Sequence, residues 1–550
     1  MDSAHLPDQQ MISEATRSCL QVAQKAVETA TAKLQGTDLD ANQAVAYDLA
    51  HAASMVRAAK TMQDYAASGN AALGDAASGD AALGDVEARI AGLFTGETLA
   101  NLIAASAGRE TEWGLQPGWY AQAQQQLSVL RSPELAASLA RQPGTRGLNE
   151  DFELVRETFH RFAQEQIRPH AEEVHRKNLD VPETVIEGLA SLGGFGLSVP
   201  EEYGGAAQGG EHDYLAMVVA TEELSWGSLG IGGSLVTRPE ILTRALVNFG
   251  TDEQRRKWLP TIASGETMVA VAVTEPDYGS DVANLTTMAT MDEGGWRISG
   301  VKTWCTFAAR ADVLMLLART DPDRSRGHRG LSLFVVPKPR GDGHGFSFTQ
   351  EAQGNAPGGG KLEGRPIDTI GYRGMHSYEL SLDGWWVPEE ALVGGNEGLN
   401  KGFYAQMQGF ENGRLQTAAR ALGVMQAAYE AATQYAAQRW VFGHPIEDYQ
   451  LTQVKLGRMA ALIQAGRQFA YEVAKLMAKG EGTLEASMVK AFVCKAAEWV
   501  TREAMQIHGG MGYAEEFPVS RYFVDARVLS IFEGADETLA LRVIAKRLLS

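Results

Sequence analysis

The sequence predicts an α+β protein in which helical regions flank a β-rich middle, and three observations carry that prediction. Apolar residues recur at helical spacing through the first 267 positions, as in AVAYDLAHAASMVRAAKTMQDYA at 44–66. The same spacing returns from 397 to the end, as in LTQVKLGRMAALIQAGRQFAYEVAKLMA at 451–478. Between 268 and 393 the texture changes to short β-prone runs broken by Gly, Pro and Asp. Strands and helices do not alternate, which argues against a doubly wound parallel sheet.

In chain order, residues 1–147 form a helical extension rich in Ala and Gln. It contains a small repeat, SGNAALGDAASGDAALGD at 68–85, expected to be a flexible link between helices. RQPGTRGLNED at 141–151 reads as the linker that closes the extension. A second helical domain covers 148–267, with FELVRETFHRFAQEQIRPHAEEVHRKN, ETVIEGLASLGGFG and YLAMVVATEELSW as its clearest helical runs. Its GSLGIGG at 227–233 falls between predicted helices rather than after a strand, so these are loop glycines and not a dinucleotide fingerprint. MVAVAVTEP, GWRISGVKTWCTF, DVLMLLART, LSLFVVPK, FSFTQE and YELSLDGWWVP then predict an antiparallel β-domain over 268–396. Long amphipathic helices occupy 397–550.

Composition narrows the function classes. Forty-nine basic against 68 acidic residues give a net charge of −19, which disfavours a nucleic-acid partner. Cys19, Cys305 and Cys494 are widely spaced, so neither a disulfide framework nor a metal site is indicated, and a reducing cytoplasm fits best. The opening MDSAHLPDQQ lacks the basic-then-apolar pattern of a secretory signal, and no apolar run reaches the length of a membrane span.

Seven separated motifs carry the chemistry: VTEPDYGSDVANL (273–285), KTWCTFAARADV (302–313), GYRGMHSYEL (371–380), FENGRLQTAARALG (410–423), QRWVFGHPIEDYQ (438–450), QIHGGMGY (506–513) and IFEGADET (531–538). With this content and order the chain resembles the acyl-CoA dehydrogenases over residues 148–548. The resemblance implies an N-terminal helical domain, a central antiparallel β-barrel domain and a C-terminal four-helix bundle, here preceded by the extra extension. It also implies FAD as cofactor and α,β-dehydrogenation of an acyl-CoA thioester. In that reaction a base removes a Cα proton while a hydride leaves Cβ for the flavin N5.

The residues themselves fit those roles. Thr274 and Ser280 supply hydroxyls on a loop, a pattern an ordinary turn would also show. Trp304 and Thr306 stand two apart on a strand and are expected on one face, where a ring and a hydroxyl suit a flat heterocycle; the resemblance makes them flavin neighbours. Arg439 and Phe442, three apart, are expected on one helix face. The resemblance gives them, with Gln450, to the adenine and diphosphate end of FAD bound by a partner subunit, and hence implies a homo-oligomer. Gln506 offers an amide, and Gly509 and Gly510 allow close backbone approach or a helix C-cap.

Glu533, beside Phe532 and Gly534, matches the family's base position. Desolvation is a general means of bringing a carboxylate toward such a task. One branch of the family places the base at the position of Gly413 instead, and that alternative is absent here. Glu411 and Arg414 match positions that contact CoA, although a helix-surface ion pair has the same spacing. Ala535, Glu537 and Phe532 replace a common Thr, Gln and Tyr, which puts side-chain contacts at those positions in doubt.

An acyl group carrying a second carboxylate would need a cation or strong donors, and the candidates are Arg238, His376 and Tyr378. The resemblance implies electron-transferring flavoprotein as the partner that reoxidises FADH2. O2 as acceptor, or a non-catalytic acyl-CoA-binding role, are the competing readings. The extension is expected to pack on the C-terminal helices and to favour a dimer over a tetramer.

Overall fold

The computed structural model describes residues 6–72, 83–292, 294–341, 344–353 and 357–550. Most of the AALGD repeat, and the link it was expected to form, lies outside the described residues. The extension contributes α1 (Gln9–Leu34), α2 (Gln43–Ala72), α3 (Leu83–Ser106), α4 (Gln124–Leu130) and α5 (Pro133–Ser138). After an irregular stretch come α6 (Glu150–Phe162), α7 (Arg168–Lys177), α8 (Glu183–Ser191), α9 (Glu211–Gly227), α10 (Thr237–Phe249) and α11 (Asp252–Ala263). The strands are β1 (Val269–Ala272), β2 (Met288–Asp292), β3 (Gly295–Thr306), β4 (Val313–Arg319), β5 (Leu331–Pro337), β6 (Phe346–Thr349), β7 (Lys361–Ile367) and β8 (Ser377–Pro388). A short α12 (Gly395–Gly398) precedes the long α13 (Gly402–Gln438). A hairpin of β9 (Trp440–Val441) and β10 (His444–Pro445) then leads to α14 (Gln450–Ala478), α15 (Thr483–His508) and α16 (Pro518–Leu529). The chain ends with α17 (Asp536–Thr538), a π-helical segment Leu539–Ala545 and α18 (Lys546–Leu548).

These elements form two compact units: Met1–Glu157 with Thr417–Ser550, and Thr158–Gln416. In the first, α2 packs against α3, α14, α15 and the π-helical segment, and α5 packs against α14. The expected packing of the extension on the C-terminal helices is therefore present within one unit. Local chemistry marks the helix starts: the Asp8 side chain accepts from the Met11 N–H at 2.7 Å, and Ser132 accepts from Leu135 N–H just before Pro133. Gly457 meets the Ala136 carbonyl so closely that an added Cβ would lie 1.8 Å from it, so only glycine lets α14 approach α5.

In the second unit the strand order is β1-β4-β2-β3-β8-β7-β6, with β5 on β4. Pairing is antiparallel except for β1 with β4 and one contact of β2 with β4, which are parallel. The continuous apolar run of β4 follows from burial on both faces. Leu314, Leu316 and Ala318 enter a core with Phe334, Tyr378 and Trp385. Val313, Met315 and Leu317 alternate into a second core with Leu242, Leu246, Leu259 and Ile262 from α10 and α11. Helix α11 starts with a capping box of Thr251 and Gln254.

Candidate active site

In the second unit, the loop after β1 is pinned to β3 by a buried carboxylate. Glu275 accepts from Thr286 N–H and hydroxyl, both at 2.7 Å, from Thr287 N–H at 2.8 Å and from Lys302 Nζ at 2.9 Å. Burial works to raise its pKa, but the Lys302 charge and these donors outweigh it and hold the carboxyl at about 2. The Thr303 N–H donates to the Thr274 carbonyl at 2.8 Å, so the half-buried Thr274 sits beside β3, while Ser280 stays exposed. Glu275 and Lys302 lie in separate motifs 27 positions apart, and nothing in their spacing marks them as a pair. A lysine inside a strand and an acid just past the end of another were the available signal.

The expectation that Trp304 and Thr306 share a strand face needs correction. The β3–β8 register shifts between Lys302 and Cys305, and Trp304 has φ 57. This bulge breaks the alternation. It leaves Trp304 56 % exposed while Thr306 is buried, its hydroxyl 3.1 Å from that of Ser377.

Tyr378 also moves. On β8 it alternates inward with Leu380 and Leu382, and its ring belongs to the sheet core, so it is a packing residue rather than an acyl ligand. His376 is buried with φ 38, 3.2 Å from Asp180 Oδ1, and its ring lies 4.4 Å from that of His344.

Arg238, at the start of α10, is 6 % exposed. Its guanidinium lies 6.0 Å from the Tyr372 ring, its Nη1 has no hydrogen-bond partner, and among the described residues no carboxylate pairs with it. Its neighbour Glu240 is paired with Arg244 at 3.0 Å and accepts from Gln416 Nε2 at 2.8 Å and from Asn412. This network, which sequence reasoning did not anticipate, fixes α10 to α13 near Glu411 and Arg414. Those two half-buried side chains lie one turn apart on α13, beside the buried Gly413.

In the first unit, Glu533 occupies the loop between α16 and α17 with φ 54, and Gly534 follows at φ 100. A glutamate held in the left-handed region costs about 1–3 kcal/mol and marks a backbone its surroundings over-determine. Its side chain is 10 % exposed, with Arg420 Nη2 3.8 Å away. The Arg420 guanidinium lies over the Phe532 ring at 4.6 Å, and the Gly534 carbonyl accepts from Lys490 Nζ at 2.6 Å. Arg420 was another missed residue. A lone arginine in the apolar stretch AARALGVM was its signal, since a buried cation needs an acid nearby.

Arg439 and Phe442 do not share a helix face. Helix α13 ends at Gln438, and Phe442 (φ 51) with Gly443 (φ 88) makes the two-residue turn of the β9–β10 hairpin. Two consecutive positive φ values are what a tight hairpin requires. Phe442 is 93 % exposed, with Arg439 and Gln450 exposed nearby in sequence. Gln506 is exposed at the end of α15, and Gly509 caps that helix at φ 59. A Cβ at Gly509 or Gly510 would meet nothing within 4 Å, so protein packing does not explain either glycine. Within the first unit, an open glycine pair, an amide and an exposed guanidinium have the chemistry a diphosphate requires, and within the second the outward indole of Trp304 has the flat face a heterocycle requires.

Family signatures for the acyl-CoA dehydrogenase N-terminal, middle and C-terminal domains match residues 149–266, 270–384 and 400–549. The chain belongs to the acyl-CoA dehydrogenase family, and it is an FAD-dependent oxidoreductase. Among its relatives, it is 44 % identical over 408 residues to (2S)-methylsuccinyl-CoA dehydrogenase of Cereibacter sphaeroides, covering 74 % of this chain and 71 % of that one. It is 30 % identical to the butyryl-CoA dehydrogenase of Megasphaera elsdenii, with a TM-score of 0.66 over 74 % of this chain and 99 % of that structure. A glutaryl-CoA dehydrogenase from Mycobacterium smegmatis, solved in complex with FADH2, is 25 % identical with a TM-score of 0.63, covering 73 % and 95 %.

Proposed function

We propose that this acyl-CoA dehydrogenase oxidises (2S)-methylsuccinyl-CoA to mesaconyl-CoA, in the ethylmalonyl-CoA pathway of a bacterial cytoplasm. The observation that carries the acyl assignment is Arg238, a buried guanidinium with no carboxylate partner among the described residues. Burying a cation unpaired is costly, and a substrate bearing a free carboxylate removes that cost. The 44 % identity to a methylsuccinyl-CoA dehydrogenase points the same way.

Glu533 is assigned as the base that takes the Cα proton. Bound FAD supplies the acceptor for the hydride leaving Cβ. The backbone N–H of Glu533 is the donor proposed for the developing charge on the thioester oxygen. Glu411 and Arg414 are assigned to the CoA portion. Trp304, Thr306, Thr274 and Ser280 are assigned to the flavin end, and Arg439, Phe442, Gln450, Gln506, Gly509 and Gly510 to the nucleotide end. Phe442 at 93 %, with exposed Trp440 and Leu451 close in sequence, is an unusual outward apolar group, which supports a homo-oligomeric contact at the hairpin. A dimer and electron-transferring flavoprotein as acceptor complete the reading.

The test is anaerobic bleaching of the flavin by methylsuccinyl-, butyryl-, isovaleryl- and glutaryl-CoA. Methylsuccinyl-CoA should bleach fastest. Arg238→Ala should raise KM for methylsuccinyl-CoA about 10- to 100-fold, the cost of losing a charge-assisted bond, and leave butyryl-CoA nearly unaffected. Equal changes for both substrates would remove the assignment.

A further inference from the structure

We infer that the N-terminal extension positions the catalytic base of its own chain, with Tyr47 and His51 on α2 acting through Asp536 as positioning residues. The inference rests on Glu533 being the base and extends that reading to side chains 489 and 485 positions from Asp536 in sequence. Helix α2 also lies outside the matched family domains, so the contact comes from chain added to the family core.

Two consecutive residues of the base loop, Glu533 and Gly534, have positive φ. Something must hold that conformation. Ala535 contributes no hydroxyl where the family often has one, so the loop depends on its ends. Upstream, the Ser530 carbonyl accepts from Asp536 N–H at 3.0 Å, and the Ser530 hydroxyl donates to Glu498 at 2.5 Å. Downstream, the buried Asp536 Oδ2 accepts from the Tyr47 hydroxyl at 2.5 Å and lies 3.2 Å from both His51 Nε2 and Lys495 Nζ. Two of those three partners belong to the extension. Tyr47 and His51 are one turn apart on α2 with ring centroids 4.6 Å apart, and Lys495 also donates to Tyr47. A second tie, Asp40 to Arg542 at 2.8 Å, joins the segment before α2 to the π-helical segment that follows the loop.

Burial alone would push the Asp536 carboxyl up, yet His51, Tyr47 and Lys495 hold it well below the usual carboxylate range. The clasp is thus a charged anchor three residues from the base. Loss of one arm would let the loop relax from its left-handed conformation, and displacement of a base by about 1 Å costs on the order of 100-fold in rate.

The experiment uses the FAD-loaded enzyme with Tyr47→Phe, His51→Ala and Asp536→Asn, with Asp536→Glu as the conservative variant and Glu533→Gln as control. Stopped-flow flavin reduction by methylsuccinyl-CoA, with and without deuterium at Cα, is read per bound FAD, so partial folding does not enter the rate. The clasp predicts a 10- to 100-fold lower limiting rate, a KM within about threefold and a larger deuterium effect, with partial recovery in Asp536→Glu. If the wild type bleaches, Glu533→Gln does not, and the three clasp variants keep both the wild-type rate and isotope effect, the inference is overturned. If no acyl-CoA bleaches the wild type, or Glu533→Gln bleaches normally, it is the reading of the reaction or its base that fails.

Discussion

Two glutamates in two regions of this protein face a buried cation and end in opposite situations. Glu275, in the loop after β1, is saturated: three donors from Thr286 and Thr287 and a lysine at 2.9 Å surround it. Glu533, in the loop before α17, meets its cation only at 3.8 Å, on a backbone at φ 54. The first carboxylate has spent its lone pairs on the fold and joins a loop to a strand. The second is held in place through its backbone neighbours, Lys490 on the Gly534 carbonyl and Tyr47, His51 and Lys495 on Asp536, which leaves its own oxygens available. Supporting a reactive group through its neighbours keeps it rigid without neutralising it.

The largest test of this contrast exchanges each acid for its amide. Glu533→Gln should lower the rate of flavin reduction about 10²- to 10⁴-fold, the usual contribution of a positioned base, with little change in Tm. Glu275→Gln should do the reverse. Leaving Lys302 buried without its acid should cost about 3–5 kcal/mol in denaturant unfolding of the holoenzyme, while molecules that remain folded keep their limiting rate per FAD. A large stability loss in the first variant, or none in the second, would erase the distinction.

Acid should sharpen it further. Glu275 has a folded pKa of about 2 against an ordinary 4.5. A carboxylate depressed in this way stabilises the fold above its unfolded pKa and loses that contribution as pH falls through the folded one. Unfolding measured between pH 5 and 2 should therefore show a loss of about 2–3 kcal/mol that is absent in Glu275→Gln. Asp536 is shifted in the same direction, so a Glu275→Gln/Asp536→Asn pair should flatten the profile more than either alone.

What the sequence made legible follows from where the physics is local. Helical spacing, strand texture and the order of seven motifs located the elements, because periodicity is set by near neighbours. The continuous run VLMLLAR on β4 correctly read as strand, since both of its faces are buried. Face and partner were less legible. The alternation rule does not hold through Trp304 because the register shifts between Lys302 and Cys305, and helical spacing misplaced Phe442 because Phe-Gly turns a hairpin there. Tyr378 looked polar enough to bind a ligand, yet strand register sends it into the core. Arg420, Lys302 and Asp536 were invisible as a class: a buried charge declares itself in sequence only as an oddity, and its partner lies far along the chain.

The smallest expected effect tests the contrast at Arg420. The guanidinium is held by the Thr417 hydroxyl at 2.6 Å and lies over the Phe532 ring, which keeps it 3.8 Å from Glu533. Lysine keeps the charge but loses the planar fork and ring stacking, and its single ammonium is free to approach the carboxylate directly. Arg420→Lys would then give Glu533 the kind of close pairing that Glu275 has with Lys302. The expected outcome is a limiting rate about tenfold lower with KM for the acyl-CoA unchanged, because the base is engaged while the binding surface is intact. An unchanged rate would mean that saturation of the carboxylate is not what separates the two glutamates, and that the left-handed backbone of the base loop carries the difference.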